Sequence, residues 1–191
     1  MKKFLFTSVV AFVVLSSFVL VNTLWKNDPP HSQLGFTVTH LGISDISGTF
    51  NDFTATIDAQ KPDFSDAKFE LKAKVASIDT RVEQRNTHLK SPDFFDAEKY
   101  PELTFTSTSI NSTGGKTFKL TGDLTIHGVT KTVTFDGVYR GTIDNPMSKK
   151  PSAGFSISGI IKRSDFKLGE KFPDAMVSDE VRVKADGEFA Q

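Results

Sequence analysis

The chain has 191 residues, 38% hydrophobic and 24% charged, with 23 basic against 23 acidic side chains and no cysteine. That is room for one well-buried domain plus a leader. A near-neutral balance with no basic stripe excludes a nucleic-acid footprint, and the missing cysteines exclude disulfides, thiolate metal sites, covalent haem attachment and a lipid-modified N-terminal cysteine.

Lys2-Lys3 followed by the apolar-to-small run Phe4–Val21 reads as a secretory signal. The run borders on membrane-spanning length and no Ala-x-Ala site follows it, so the competing reading is a retained N-terminal anchor that touches a membrane. Residues 1–24 are assigned to this leader and 25–191 to the domain. Either way the domain is exported, periplasmic or extracellular. Without Lys2 and Lys3, 21 basic residues face 23 acidic ones. Fourteen of the eighteen phenylalanines follow the leader, against two tyrosines and one tryptophan. Phenylalanine offers bulk with no polar handle, which suits a dry core or a dry tunnel.

After Asp28-Pro29-Pro30, Leu34, Phe36 and Val38 alternate with polar residues, a half-buried strand turned by Leu41-Gly42. A second strand from Ile46 slips phase at Asn51-Asp52, which predicts a bulge, and resumes at Phe53, Ala55 and Ile57. Residues 58–66 read as a polar loop. Phe69, Leu71, Ala73 and Val75 mark the third strand, and Leu103 and Phe105 the fourth, running to about Ile110. A Thr113-Gly114-Gly115 turn leads to the fifth, with Phe118, Leu120, Leu124 and Ile126. His127-Gly128 then turns into the sixth, with Val129, Val133 and Phe135. Phe155, Ile157 and Ile161 mark the seventh. The loop 166–178 precedes the eighth, with Val181, Val183, Ala185 and Phe189. Gly48, Gly122, Gly137 and Gly159 fall on apolar phases, where they predict bends and interior space.

Only residues 79–101 break the alternation. A polar run from Arg81 to Lys90 favours a helix, Ser91-Pro92-Asp93 breaks it, and Asp96 is placed to cap a second turn. Asp79 and Thr80 are placed to cap the first. The adjacent Phe94 and Phe95 suit a lid over an opening, or a plain crossover covering one end. Eight alternating strands with short turns favour one antiparallel barrel or a sandwich.

Six ordered blocks carry a resemblance. They are Trp25-x-x-Asp28-Pro29-x-His31-Ser32 continuing to Phe36-x-Val38-x-His40-Leu41-Gly42-Ile43-Ser44; Ser77-Ile78-Asp79-Thr80; His88-Leu89-Lys90-Ser91-x-Asp93-Phe94-Phe95-Asp96; Tyr100-Pro101-x-Leu103-Thr104-Phe105; Gly122-x-Leu124-Thr125-Ile126-His127-Gly128-Val129-Thr130-Lys131; and Arg163-Ser164-Asp165-Phe166. Together they resemble the YceI-like family of polyisoprenoid-binding, lipocalin-like proteins, over Trp25 to about Val183. The resemblance implies an all-β, eight-stranded antiparallel up-and-down barrel with a short helical insert between strands 3 and 4. Its lumen would take a long-chain isoprenoid or similar amphiphilic lipid, with no further cofactor. Two departures stand out: Arg85-Asn86 where the family usually has Arg-Asp, and Lys167 where it usually has Gly.

An up-and-down meander brings residues 40–42, 79–101, 127–128 and 163–178 to one rim, the expected ligand mouth. The tunnel wall is then assigned to Phe36, Val38, Phe50, Phe69, Leu71, Phe94, Phe95, Phe105, Phe118, Leu124, Phe135, Phe155, Ile157 and Ile161. The polar rim facing a headgroup is assigned to His40, Asp79, Arg85, His88, His127, Arg163 and Asp165. Arg85 or Arg163 would pair with a phosphate or carboxylate, against the plainer reading of a rim ion pair. Three of the four histidines could share that rim, but none has metal-motif spacing, so structural imidazoles are expected and no metal is assigned. A small hydrolase or isomerase using rim His and Asp would lack any nucleophile elbow, paired-carboxylate motif or phosphate loop. The expectation is therefore a non-catalytic lipid binder for transport, storage or sequestration. The other rival is a membrane-tethered structural or interaction barrel.

Overall fold

The computed structural model describes residues 23–191. The expected leader lies outside them except for Thr23 and Leu24. The strands are β1 (Leu24–His40), β2 (Ser44–Phe50), β3 (Phe53–Asp58), β4 (Lys68–Lys74), β5 (Ile78–Asp79), β6 (Glu102–Gly114), β7 (Thr117–Ile126), β8 (Val129–Asp144), β9 (Pro151–Lys162) and β10 (Glu180–Ala190), with one helix, α1 (Glu83–Lys90). β2 and β3 are two arms of one bent strand along β1, parted at Asn51-Asp52 where the alternation slips. β5 is a two-residue pairing on β2. The rest is a meander in which every pair is antiparallel, and β10 returns to β1 through contacts such as Phe36 opposite Val183. The result is a closed eight-stranded barrel.

β1 begins earlier than its alternation suggests. Asn27 lies opposite Phe189 and Ser32 opposite Gly187, so Asp28–His31 form an excursion facing the single residue Glu188. Pro29 and Pro30 sit where the ladder needs no N–H, so a pair expected to precede the strand is a bulge inside it. His31 bonds Asp28 there at 2.8 Å, far from the rim, and the Asp28 bond is the main reason its pKa is raised.

The mid-strand glycines leave no empty space. Each lies under a phenylalanine ring: Gly48 under Phe36, Gly122 under Phe105, Gly137 under Phe118 and Gly159 under Phe135. A ring can lie flat on the sheet only where its neighbour has no Cβ, so glycine and phenylalanine together fill volume that the sequence pattern suggests is open.

The end bearing residues 59–67 is closed by aromatic packing. That loop was expected to be an ordinary polar turn, yet Phe64 points inward from it at 3% exposure. Its ring lies 5.2 Å from Trp25, 5.2 Å from Tyr139 and 5.0 Å from Phe155. Asp66 accepts the Gln60 and Lys61 N–H groups and Asp63 that of Ser65, so the polar residues tie the loop while its one ring plugs the barrel.

A methyl group at Gly122 would come within 2.5 Å of the Thr106 carbonyl oxygen and 2.6 Å of the Phe105 ring, whereas at Gly35 its nearest neighbour is 3.5 Å away. Gly122→Ala should therefore destabilise the barrel by about 1–3 kcal/mol, the usual range for overpacking. Gly35→Ala should stay within about 0.5 kcal/mol of the parent, as surface changes do. Urea unfolding of the two variants measures the contrast.

Candidate functional site

The inward faces of the strands line a cavity of about 580 Å³ that reaches His40, Arg85, His88 and Phe172 at the end opposite Phe64 and also touches Ser32, Lys184, Asp186 and Gly187 beside the β1 bulge. That volume lies within the range of small-molecule sites. Phe36, Val38, Phe50, Phe69 and Leu71 line it from β1, β2 and β4, and Phe105, Leu124 and Phe135 from β6 to β8. β9 adds Phe155, Ile157 and Ile161, and the 79–101 segment adds Phe94 and Phe95. Phe118 is the one assigned wall residue that does not line it. Its ring lies over Gly137 and packs on Phe69 and Phe155, so it is core behind the wall. The assignment missed Leu34, Phe53 and Val183, which share the alternation of their strands. It also missed Leu89, Leu168, Phe172 and Met176, whose α1 or loop positions give no period to read.

The four rim connections meet at the mouth. The β1–β2 turn joins the 163–179 loop through Leu41 N–H to the Met176 carbonyl and Ser178 N–H to the Thr39 carbonyl, each 2.9 Å. The 79–101 segment joins the same loop where Phe94 stacks on Phe172 at 4.9 Å and Lys171 reaches Asp93 at 2.6 Å. Gly169 lets Phe94 lie against the loop, since a Cβ there would sit 2.5 Å from the ring. The Lys171 ammonium, and after it His88, hold the Asp93 carboxyl below its usual range. Phe95 meets Phe50 edge-on at 5.8 Å. Phe94 and Phe95 are both half-buried, as residues at the boundary between lumen and solvent must be.

Arg163 lines the cavity, but its guanidinium is taken up by its own loop. Its guanidinium, in a residue only 6% exposed, donates to the carbonyls of Leu168, Gly169, Phe172, Val177 and Ser178 and to the Asp174 carboxylate. The loop curls around this one side chain. Asp165 is exposed in the adjoining turn and outside the cavity lining. Lys167 closes that turn at a φ of +57°, in the left-handed region where a glycine would be unstrained.

Asp79 is also engaged with the backbone. It accepts the Arg81 N–H at 2.8 Å and the Asn86 amide at 3.1 Å, and these two bonds, in that order, lower its pKa. It does not cap α1, whose N-cap is Val82 with no side-chain cap bond. Asp96 ties its turn through its carbonyl, which accepts Lys99 and Tyr100 N–H, rather than through the expected side-chain cap. His127 turns away from the cavity at a φ of +52° and meets Tyr100 edge-on at 4.8 Å. Asp79, His127 and Asp165 are therefore not part of the cavity.

Arg85, His88 and His40 do line it. Arg85 Nε donates to the Thr80 hydroxyl at 2.8 Å and Nη2 to the Thr80 carbonyl at 2.7 Å. Thr80 is held in turn by the buried Asn86, whose Oδ1 accepts both its N–H and its hydroxyl. The amide at position 86 thus donates to Asp79 and accepts from Thr80. This shell aims the guanidinium while its Nη1 makes no hydrogen bond or ion pair among the described residues. One half-buried cation with free donors, beside two imidazoles, stands at the mouth of an otherwise apolar cavity.

A family model for the YceI-like domain matches residues 25–189. A UPF0312 protein of Photorhabdus laumondii is 39% identical over 183 residues, covering 92% of this chain and 93% of that one. Among solved structures, Burkholderia cenocepacia BcnA superposes with a TM-score of 0.77 at 27% identity, covering 85% of this chain and 98% of BcnA. A polyisoprenoid-binding domain from Saccharophagus degradans shares the fold at a TM-score of 0.67 and 15% identity, covering 88% and 98%.

A lysine at position 163 keeps the charge but reaches one or two carbonyls rather than five. Arg163→Lys should cost about 1–3 kcal/mol, the penalty of leaving buried acceptors unmet. Hydrogen exchange should localise the loss to residues 168–178, with strand amides still protected.

Proposed function

The chain belongs to the YceI-like family, and on that premise we propose that it is a non-catalytic carrier holding a long-chain isoprenoid or similar amphiphilic lipid. The tail lies in the lumen and the polar head stands under Arg85. The observation that carries this reading is the pairing of a plugged, phenylalanine-lined cavity with a single free guanidinium edge at its opening. Aromatic walls shed water at little entropic cost, while a cation at the rim favours an anionic or strongly accepting head such as a phosphate. His40 and His88 add donors or acceptors beside it.

The use of the remaining polar groups at the mouth supports binding rather than catalysis. Arg163, Asp79 and Asp93 each hold a loop, Asp93 through Lys171 at 2.6 Å ahead of His88 at 3.4 Å. The apolar run before the domain and the absence of cysteine support an exported carrier whose role is transport, storage or sequestration.

The test is a titration of delipidated protein with a prenyl phosphate and with the prenyl alcohol of equal length. Wild type should bind both and prefer the phosphate. Arg85→Gln should lose about tenfold on the phosphate, close to one charge-assisted hydrogen bond, and little on the alcohol. A protein that stays empty with prenyl and fatty acyl lipids alike would overturn the reading.

A further inference from the structure

The β1–β2 turn is unusual for a polar rim. Leu41 is 51% exposed, Ile43 is 84% exposed, and Met176, bonded to Leu41 across the loop contact, is 43% exposed. Turns in this position normally carry polar residues. Leu41 also adopts a φ of +51°, a conformation that costs a β-carbon-bearing residue energy, and it gains no burial there. The fold is therefore not what these side chains serve.

Their position relative to the cavity says what does. Met176, His40, Val38 and Ile46 line the lumen, and the backbone bond from Leu41 N–H to the Met176 carbonyl sets the exposed Leu41 and Ile43 turn beside that lining. Two carboxylates of these segments are paired, Asp45 with Arg182 at 2.6 Å and Asp174 with Arg163 at 3.1 Å, and Asp179 accepts the Ser164 hydroxyl at 2.9 Å, while the exposed Asp165 and Glu170 share their loop with Lys167 and Lys171. An apolar ledge beside the cavity mouth, edged by lysines as well as acids, matches the interfacial region of a bilayer.

We propose that Leu41, Ile43 and Met176 form a membrane-docking ledge that seats the mouth on a lipid surface while cargo enters or leaves. Three side chains give shallow, reversible contact, which a carrier that must depart requires. This ledge is at the opposite end from Leu24, because β1 runs from the closed end to the mouth. The proposal deepens the carrier reading and rests on it for its purpose, but vesicle contact can be measured without any cargo.

The chain has no cysteine, so single labels are unambiguous. Ser44→Cys places a polarity-sensitive fluorophore beside the ledge, and Ser148→Cys places one at the far end, in the β8–β9 turn. With vesicles of phosphatidylcholine, the label at 44 should shift to the blue and the label at 148 should not. Adding Leu41→Asn and Ile43→Asp should abolish the shift. The same pair should slow pick-up of a fluorescent prenyl lipid from vesicles by about tenfold or more, given the apolar area removed. Affinity for that lipid offered in monomeric form should stay unchanged. Asparagine tolerates the left-handed conformation, so the variant should fold. No response at 44, a response that survives the double substitution, or a ledge that instead pairs two copies of the chain in solution would overturn the proposal. A protein that docks on vesicles yet binds no monomeric lipid would overturn the carrier reading and leave the ledge standing.

Discussion

A buried guanidinium bonded to five backbone carbonyls holds the longest loop at the mouth of this barrel. The segment between β9 and β10 has no strand partner along most of its length and is held by local turns such as Phe172 N–H to the Gly169 carbonyl. Arg163 bonds its carbonyls from the centre of the curl, with Asp174 as counter-ion. With the loop fixed, Phe172 can stack on Phe94, Lys171 can reach Asp93, and Met176 can receive Leu41. The cation proposed to meet a headgroup is a different one, Arg85, left with free donors because Thr80 and Asn86 aim it without using all of them.

The far end obeys a complementary constraint. A tunnel open at both ends would let water run along its wall, and Phe64 prevents it by standing among Trp25, Tyr139 and Phe155. Between plug and mouth, the phenylalanine-on-glycine pairs set how much lumen is left. Each ring laid over a glycine narrows the barrel without bending its sheet outward, so the cavity is what remains after these rings are seated.

Much of this was legible in the sequence because strands announce themselves by period. Alternation alone placed every long strand, the slip at Asn51-Asp52 marked the parting of β2 from β3, and the meander put the right four connections at one rim. The wall followed from the same period, and Phe118 departs from it only because depth along a strand has no signature in alternation. Loop residues were harder for a physical reason. Whether Arg163 faces a ligand or its own carbonyls depends on the path of fifteen residues that no periodicity describes. Asp79 read as a helix cap by its spacing, but α1 starts later and the carboxylate serves Arg81 and Asn86 instead. Phe64 and Phe172 had a usable signal in retrospect: a lone large ring in a polar loop has to bury itself somewhere. Pro29-Pro30 misled because proline marks a strand bulge as readily as a strand end.

The central claim is that cargo lies with its head at Arg85 and its tail toward the plug, and the chain's one tryptophan sits where that can be read. Trp25 packs on Phe64 at the closed end, and Phe64 packs on Phe155, a cavity wall residue. Bromine quenches tryptophan only at short range. A prenyl phosphate brominated at the tip of its tail should dim Trp25 on binding, and the same lipid brominated next to its phosphate should leave it bright. Equal quenching by the two, or stronger quenching from the head-brominated lipid, would contradict the account.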